Sequence, residues 1–194
     1  MINPINKSNE NQKSKIPKTG RIGRLARNIE QETNRAILLK VMQDVEQFQS
    51  ASDKTMKAAW LKGAIERLEK LVDKETAVKI MESCGLECCS SAVRKRAKQL
   101  ISKSQSIGEF LNKFSAGGYR FNLKDNNTII GTYNKCYCGQ VKHTKETFLT
   151  NTYCQCGVGY LRQLFESALD KPVKVELIQS IITGAERCEF IISI

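Results

Sequence analysis

Apolar residues recur every three or four positions through the first half of the chain, and this spacing places them on one face of an α-helix. Ser52 or Asp53 is suited to cap the start of one helix, which should end near Asp73. Cys84-Gly85 is typical of a helix end, because glycine adopts left-handed backbone at little cost. The predicted helices cover roughly residues 23–49, 54–73, 77–81, 90–103 and 105–115.

At Gly117-Gly118 the period changes from helical to alternating, which is typical of β-strands. Strands over residues 119–124 and 128–133 flank Asp125-Asn126-Asn127, so a β-hairpin is predicted. The same patterns predict three more elements before the end of the chain. They are a helix over residues 159–169 and two strands joined by a turn at 183–186.

This order of elements predicts an α+β fold, in which N-terminal helices pack on one face of an antiparallel sheet formed mainly by the C-terminal half. A length of 194 residues suits one well-cored domain. We expect that domain over residues 23–194, helical over 23–116 and sheet-rich over 117–194. Residues 1–22 are polar and basic and should form a disordered or loosely ordered tail. Exposed strand edges and apolar helices are compatible with a homodimer.

The net charge of +11 is concentrated near the N-terminus, where residues 1–28 carry seven basic residues and one acidic residue. Because over half of the excess lies in this tail, nucleic-acid binding is not expected. No run of eighteen apolar residues exists, and the N-terminus lacks the apolar core of a secretory signal. A cytoplasmic protein without a membrane span is expected. In that reducing compartment, eight cysteines favour thiols, metal sites or redox chemistry over disulfides.

Four of the cysteines form two C-x-C pairs, Cys136 with Cys138 and Cys154 with Cys156. In extended backbone this spacing points both side chains of a pair to the same face, so each pair can chelate. Four thiolates suit tetrahedral Zn²⁺, and soft sulfur ligands also accept iron, an iron–sulfur cluster or Cu(I). His143 lies between the pairs and is able to replace one thiol, or is a surface residue.

Two other interpretations of the four cysteines remain open. They pack as small apolar residues, or one of them is a reactive thiolate. The second interpretation depends on Cys154 and Cys156, which precede a predicted helix whose N-terminal dipole lowers the pKa of a thiol.

The remaining cysteines fall into two places in the sequence. Cys84 and Cys88 are four residues apart near a predicted helix end, so they are candidates for extra ligands or for packing there. Cys188 alternates with Phe190 and Ile192 on one face of the last strand, which predicts a core position and no ligand role.

The last 35 or so residues resemble the closing segment of the 4-vinyl reductase domain. The likeness is carried by residues 164–166, 171–176 and 184–190. It implies a short helix leading into a strand, then a hairpin with glycine, cysteine and phenylalanine, and a fold similar to subunits of the transport protein particle. It also implies binding of small hydrophobic molecules or metals, in sensory or biosynthetic proteins. Ser180 stands where that family commonly has a further cysteine.

The pattern of Cys84 followed by two C-x-C pairs looks like an uncharacterised cysteine-rich branch of that family. The ending is also weakly similar to L-2-amino-thiazoline-4-carboxylate hydrolases. No phosphate-binding glycine loop, G-x-S-x-G or H-E-x-x-H is present, and a Ser/His/Asp site would depend on the lone His143. We therefore expect a metal- or small-ligand-binding protein, sensory or accessory. The alternative is a cysteine-dependent hydrolase or redox enzyme with its thiolate at a helix N-terminus.

Overall fold

The computed structural model of the chain describes residues 16–194. These residues form two compact units: unit 1 contains residues 16–80 and 139–146, and unit 2 contains residues 81–138 and 147–194. All eight cysteines lie in unit 2. Most of the predicted basic tail lies outside the described residues, but its last residues begin the first helix, α1, at Gly20. The single domain expected from residue 23 stays a prediction.

Unit 1 is built from helices. They are α1 (Gly20–Glu32), α2 (Arg35–Val41), α3 (Val45–Ser50), α4 (Lys54–Leu71) and part of α5 (Lys74–Cys88). Trp60 and Arg67 of α4 tie it to the end of α2. The Trp60 indole donates a hydrogen bond to the carbonyl of Gln43 at 3.1 Å, and the Arg67 guanidinium donates to the carbonyl of Val41 at 2.9 Å.

The prediction of one helix over residues 23–49 is wrong, since three helices occupy that stretch. The first break falls before Asn34, whose side chain accepts a hydrogen bond from the Ile37 N–H and caps α2. The second falls at Asp44, which takes left-handed backbone with φ of 55°. The expected cap at Asp53 is confirmed, because its carboxylate accepts from the Thr55 N–H at 2.8 Å.

Cys84-Gly85 does not end a helix, because α5 continues to Cys88. Gly85 serves a different purpose there. A Cβ on Gly85 would overlap the carbonyl oxygen of Cys156, and one on Gly159 would overlap that of Glu82. Within unit 2, these two glycines let the end of α5 and the start of the next long helix touch backbone to backbone.

The other helices of unit 2 begin and end within about two residues of their predicted bounds, except at the start of the last helix. They are α6 (Ser91–Ser102), α7 (Ile107–Phe114) and α8 (Gln155–Leu169). Ser90 and Ser106 cap α6 and α7 through their side chains. The predicted start of α8, at residue 159, is four residues too late. A short 3₁₀ turn, Thr152–Cys154, leads directly into α8.

The sheet of unit 2 has four strands in the order β1-β2-β4-β3, and every neighbouring pair is antiparallel. The strands are β1 (Tyr119–Asp125), β2 (Thr128–Tyr133), β3 (Lys174–Gln179) and β4 (Cys188–Ser193), with a 3₁₀ turn, Ile181–Thr183, between the last two. Phe121, Phe190 and Ile192 are buried on one sheet face together with Leu161 and Phe165 of α8. The predicted α+β fold, with helices on one face of an antiparallel sheet, is confirmed.

Candidate functional site

Cys154 and Cys156 lie at the start of α8, in helical backbone. Cys154 is the N-cap residue with φ of −76° and ψ of −6°, and Cys156 is in the first turn. The expectation of extended backbone at this pair is therefore wrong. Residues two apart on a helix are separated by about 200° around its axis, so these side chains do not share a face.

Cys136 and Cys138 follow β2 in a segment without helix or strand. The sulfur of Cys138 is hydrogen-bonded to the phenolic oxygen of Tyr153 at 3.1 Å. Tyr153 is buried and immediately precedes Cys154. Tyr137, between the two cysteines, packs edge-on against the rings of Tyr119 and Tyr133. These contacts hold the first C-x-C pair beside the start of α8.

A buried polar cluster lies beside the turn that bears Cys154. Ser180 is fully buried, and its hydroxyl donates to the Asn151 side-chain oxygen at 2.6 Å. The Thr183 hydroxyl donates to the same oxygen at 3.2 Å. The backbone N–H of Cys154 donates to the carbonyl of Asn151 at 2.9 Å. The cluster therefore joins the turn that bears Cys154 to the segment that follows β3.

Cys188 is the first residue of β4 and is buried, as its alternation predicts. Its sulfur accepts a hydrogen bond from the Ile181 N–H at 3.4 Å. Ile181 directly follows Ser180, so the sulfur of Cys188 lies next to the buried polar cluster. The alternation of the strand correctly assigned Cys188 to the inner face but carried no sign of what lies opposite it.

Three other thiols lie near enough to Cys154 to affect its pKa. Burial raises the pKa of Cys154 to about 12, and the charges of Cys188, Cys136 and Cys138 add to the rise. We call Cys136, Cys138, Cys154 and Cys188 the Cys154 group. At neutral pH Cys154 is a thiol, which is the opposite of the activation expected from the helix dipole alone.

The α5 cysteines lie where α5 touches the start of α8. Cys84 is buried and Cys88 half-buried, on either side of the Gly85 contact with Cys156. Burial raises the pKa of Tyr160 to about 12, with the neighbouring Cys89 and Cys88 among the further causes. The structure thus brings this end of α5 to Cys156 and Tyr160, on α8.

Cys156 and Cys188 both lie near Tyr133. Burial raises the pKa of Tyr133, and Cys156 is among the groups whose charge adds to that rise. His143 is exposed and belongs to unit 1. Across residues 16–194, no three side chains of His, Cys, Asp or Glu are already arranged to hold a metal ion.

Sequence reasoning did not find three side chains of the site: Cys188, Ser180 and Tyr153. The sequence predicts packing alone for Cys188, and Ser180 stands out only as a substitution within a resemblance. Tyr153 had no signal beyond its place next to Cys154. Each of them acts through a contact between segments that are distant in sequence, which a local pattern does not record.

The fold and the site define an α+β protein whose cysteines are gathered in its sheet-bearing unit, with no membrane-spanning helix among the described residues. The chain belongs to a family of unknown function, DUF6144, whose model matches residues 19–194. No curated protein matches the chain. The expectation of an uncharacterised family is confirmed. The resemblance to the 4-vinyl reductase domain stays a prediction.

Proposed function

We propose that this protein binds a thiophilic metal ion, Zn²⁺ in the first instance, through the cysteines at the start of α8. The observation that carries the proposal is the 3.1 Å hydrogen bond between Cys138 and Tyr153. It joins the first C-x-C pair to the turn that bears Cys154. Thiols from separate segments meeting at one place are the usual framework of a structural zinc site.

Ion binding requires the sulfur atoms to move closer than they stand in the structure. The segment that carries Cys136 and Cys138 has neither helix nor strand, so it is the part able to adjust. Coordination also removes the thiol proton, and a divalent cation offsets the repulsion among the thiolates that results. We therefore expect the metal to order this segment and to stabilise unit 2.

The alternative, an enzyme with a nucleophilic cysteine, has less support. A nucleophile must be a thiolate near neutral pH. The raised pKa of Cys154, about 12, keeps its sulfur protonated. A thiolate-based metal site also needs a reducing compartment, so a cytosolic location is part of the proposal.

Elemental analysis of protein purified without oxygen and then supplied with Zn²⁺ tests the proposal. We expect about one equivalent of metal per chain, and the same measurement reports iron and copper. A paired variant, Cys136→Ser with Cys138→Ser, should lose the metal while it keeps its helical circular dichroism. Less than about a tenth of an equivalent of every metal in the unaltered protein would refute metal binding.

A sensory or accessory role with a small hydrophobic ligand is the finer part of the proposal. Its support is that α8, β3 and β4 follow one another in the order that the 4-vinyl reductase resemblance implies, with Gly184 at a positive φ of 96° in the last turn. This role is supported if a fluorescent apolar probe binds the protein and if Zn²⁺ changes that binding. Absence of any probe binding by the folded protein would contradict it.

A further inference from the structure

We infer that the outward face of α6 binds duplex DNA, with the helix lying in the major groove. The inference is independent of the proposed metal site. Helix α6 carries four basic residues within five positions and has no acidic residue. They are Arg94, Lys95, Arg96 and Lys98, and Lys103 directly follows the helix.

The net positive charge of unit 2 is concentrated on this helix. Unit 2 contains 13 basic and 9 acidic residues. Residues 91–103 supply five of the basic residues and none of the acidic ones, so the rest of unit 2 has eight basic and nine acidic residues. The expectation against nucleic-acid binding depended on the charge of the N-terminal tail. The division of the chain into units separates this second concentration of charge from that tail.

Neighbouring acids do not neutralise the basic side chains of α6. Lys95, Arg96 and Lys98 are exposed, and Arg94 is half-buried. Within residues 16–194, the ion pair that involves any of these four joins Lys98 to Asp170 at 3.8 Å, and both side chains are mostly exposed. Exposed pairs of this kind contribute little. The face is therefore a dense set of cations that an external polyanion is able to pair with.

Helix packing directs these cations outward on both flanks of α6. Its apolar stripe packs against the core of unit 2 and consists of Val93, Ala97, Leu100 and Ile101. Because each residue turns the helix by about 100°, Lys95 lies opposite the stripe, with Lys98 on one flank and Arg96 on the other. An α-helix with its side chains is about 10–12 Å wide, and the major groove of DNA is about 12 Å wide. Cations on both flanks suit the two rows of phosphates that border this groove.

The chemistry of the face favours DNA over other polyanions. The other exposed polar residues of α6 hydrogen-bond well to phosphates and base edges; they are Ser91, Gln99 and Ser102. No large apolar side chain of α6 is exposed, whereas a membrane-surface helix needs apolar anchors. The helix also lacks aromatic residues, on which unpaired bases stack. The major groove of duplex RNA is too narrow for side chains to read, which leaves duplex DNA.

The test measures binding of the full chain to a DNA duplex of about 20 base pairs by fluorescence anisotropy, at about 50–200 mM salt. The α6 variant replaces three exposed cations with glutamine, which preserves helix propensity. Its substitutions are Lys95→Gln, Arg96→Gln and Lys98→Gln. We expect this variant to bind at least about tenfold more weakly at about 100 mM salt, and its plot of log affinity against log salt to be shallower by about 2–3.

A matched control variant removes the same charge from residues of unit 2 that already pair with acids. Its substitutions are Lys113→Gln, Lys174→Gln and Arg187→Gln, at residues whose ion pairs measure 2.6, 2.6 and 2.7 Å. The slope of this variant should change by less than about 1. Equal losses in the two variants would overturn the inference, because net charge alone would then govern binding.

Three other results would also overturn it. The first is no binding of DNA by the unaltered protein at about 50 mM salt and protein concentrations up to about 100 µM. The second is full affinity in the α6 variant, which would assign the binding to another part of the chain. The third is equally tight binding to duplex RNA or to vesicles of phosphatidylserine and phosphatidylcholine, which would contradict a helix in the DNA major groove. Tighter binding to duplex DNA that only the α6 variant loses supports the inference.

Discussion

The backbone contact between α5 and α8 gives the sharpest test of the structure, through the substitution Gly159→Ala. A Cβ at residue 159 would overlap the carbonyl oxygen of Glu82 and lie 2.7 Å from its carbonyl carbon and 3.0 Å from its Cα. Those atoms belong to the backbone of α5 and cannot rotate aside. The two helices must therefore separate where they meet, beside Cys156.

The expected cost follows from two opposing effects. Overpacking of this kind costs about 1–3 kcal/mol and more when the obstacle is rigid, so a value of about 3–4 kcal/mol is reasonable here. Alanine is better than glycine inside a helix by about 1 kcal/mol, which offsets part of it. The free energy of unfolding should fall by about 2–3 kcal/mol. For a chain of this length, that lowers Tm by roughly 4–12 °C.

Gly108→Ala is the matched control, because Gly108 lies in α7 of the same unit. Its nearest obstacles are side-chain atoms of Leu123 and Ser106 at 3.8 Å, which is ordinary contact. This variant should be as stable as the unaltered protein or gain up to about 1 kcal/mol. Urea unfolding under reducing conditions, followed by circular dichroism, measures both. If Gly159→Ala were as stable as Gly108→Ala, the close contact between α5 and α8 would be refuted.

Three further predictions concern a cap, a buried hydroxyl and the pH dependence of stability. Asn34→Ala should lower the free energy of unfolding in urea by about 1 kcal/mol, because it removes the side-chain cap of α2. Asn34→Asp should lower it little, since aspartate also caps helices. Equal losses in the two variants would contradict the cap. Ser180→Ala should lower the free energy of unfolding by about 1–3 kcal/mol, because it removes a fully buried hydroxyl that donates to Asn151. A melting temperature equal to that of the unaltered protein would contradict this. Burial raises the pKa of Cys154 to about 12 and that of Cys89 to about 11. In the unfolded chain both thiols have a pKa of about 9. The stabilisation linked to them is therefore complete below pH 9 and is lost as the pH rises above that value. Thermal unfolding between pH 7 and 10 should therefore show a loss of stability that is smaller in Cys154→Ser, and a loss of equal size in that variant would count against the assignment.

Local patterns predicted the type of most elements because each pattern is set by the element itself. The turn at Asp125 to Asn127 and the alternation on both sides of it predicted the hairpin of β1 and β2, which the structure confirms. Helix interruptions were harder. Aspartate adopts left-handed backbone only occasionally, so Asp44 gave no sign of the break before α3.

Glycine shows why some boundaries needed the tertiary structure. In sequence, the glycine that ends a helix and the glycine that admits a neighbouring backbone look the same. Gly85 is of the second kind, because the space that its Cβ would take is filled by the carbonyl of Cys156. The residue that occupies that space is 71 positions away in the chain, beyond the reach of any local pattern.

The sequence by itself determined the α+β class, the antiparallel hairpins, the inner-face position of Cys188 and the presence of several cysteines able to act together. Only the tertiary structure decided which cysteines are neighbours. Alternation along β4 states that Cys188 faces inward, but the group opposite it depends on how the turn after β3 meets the start of α8. For that reason the C-x-C repeat suggested one shared face for Cys154 and Cys156, whereas the helical backbone at the start of α8 turns their side chains to different sides.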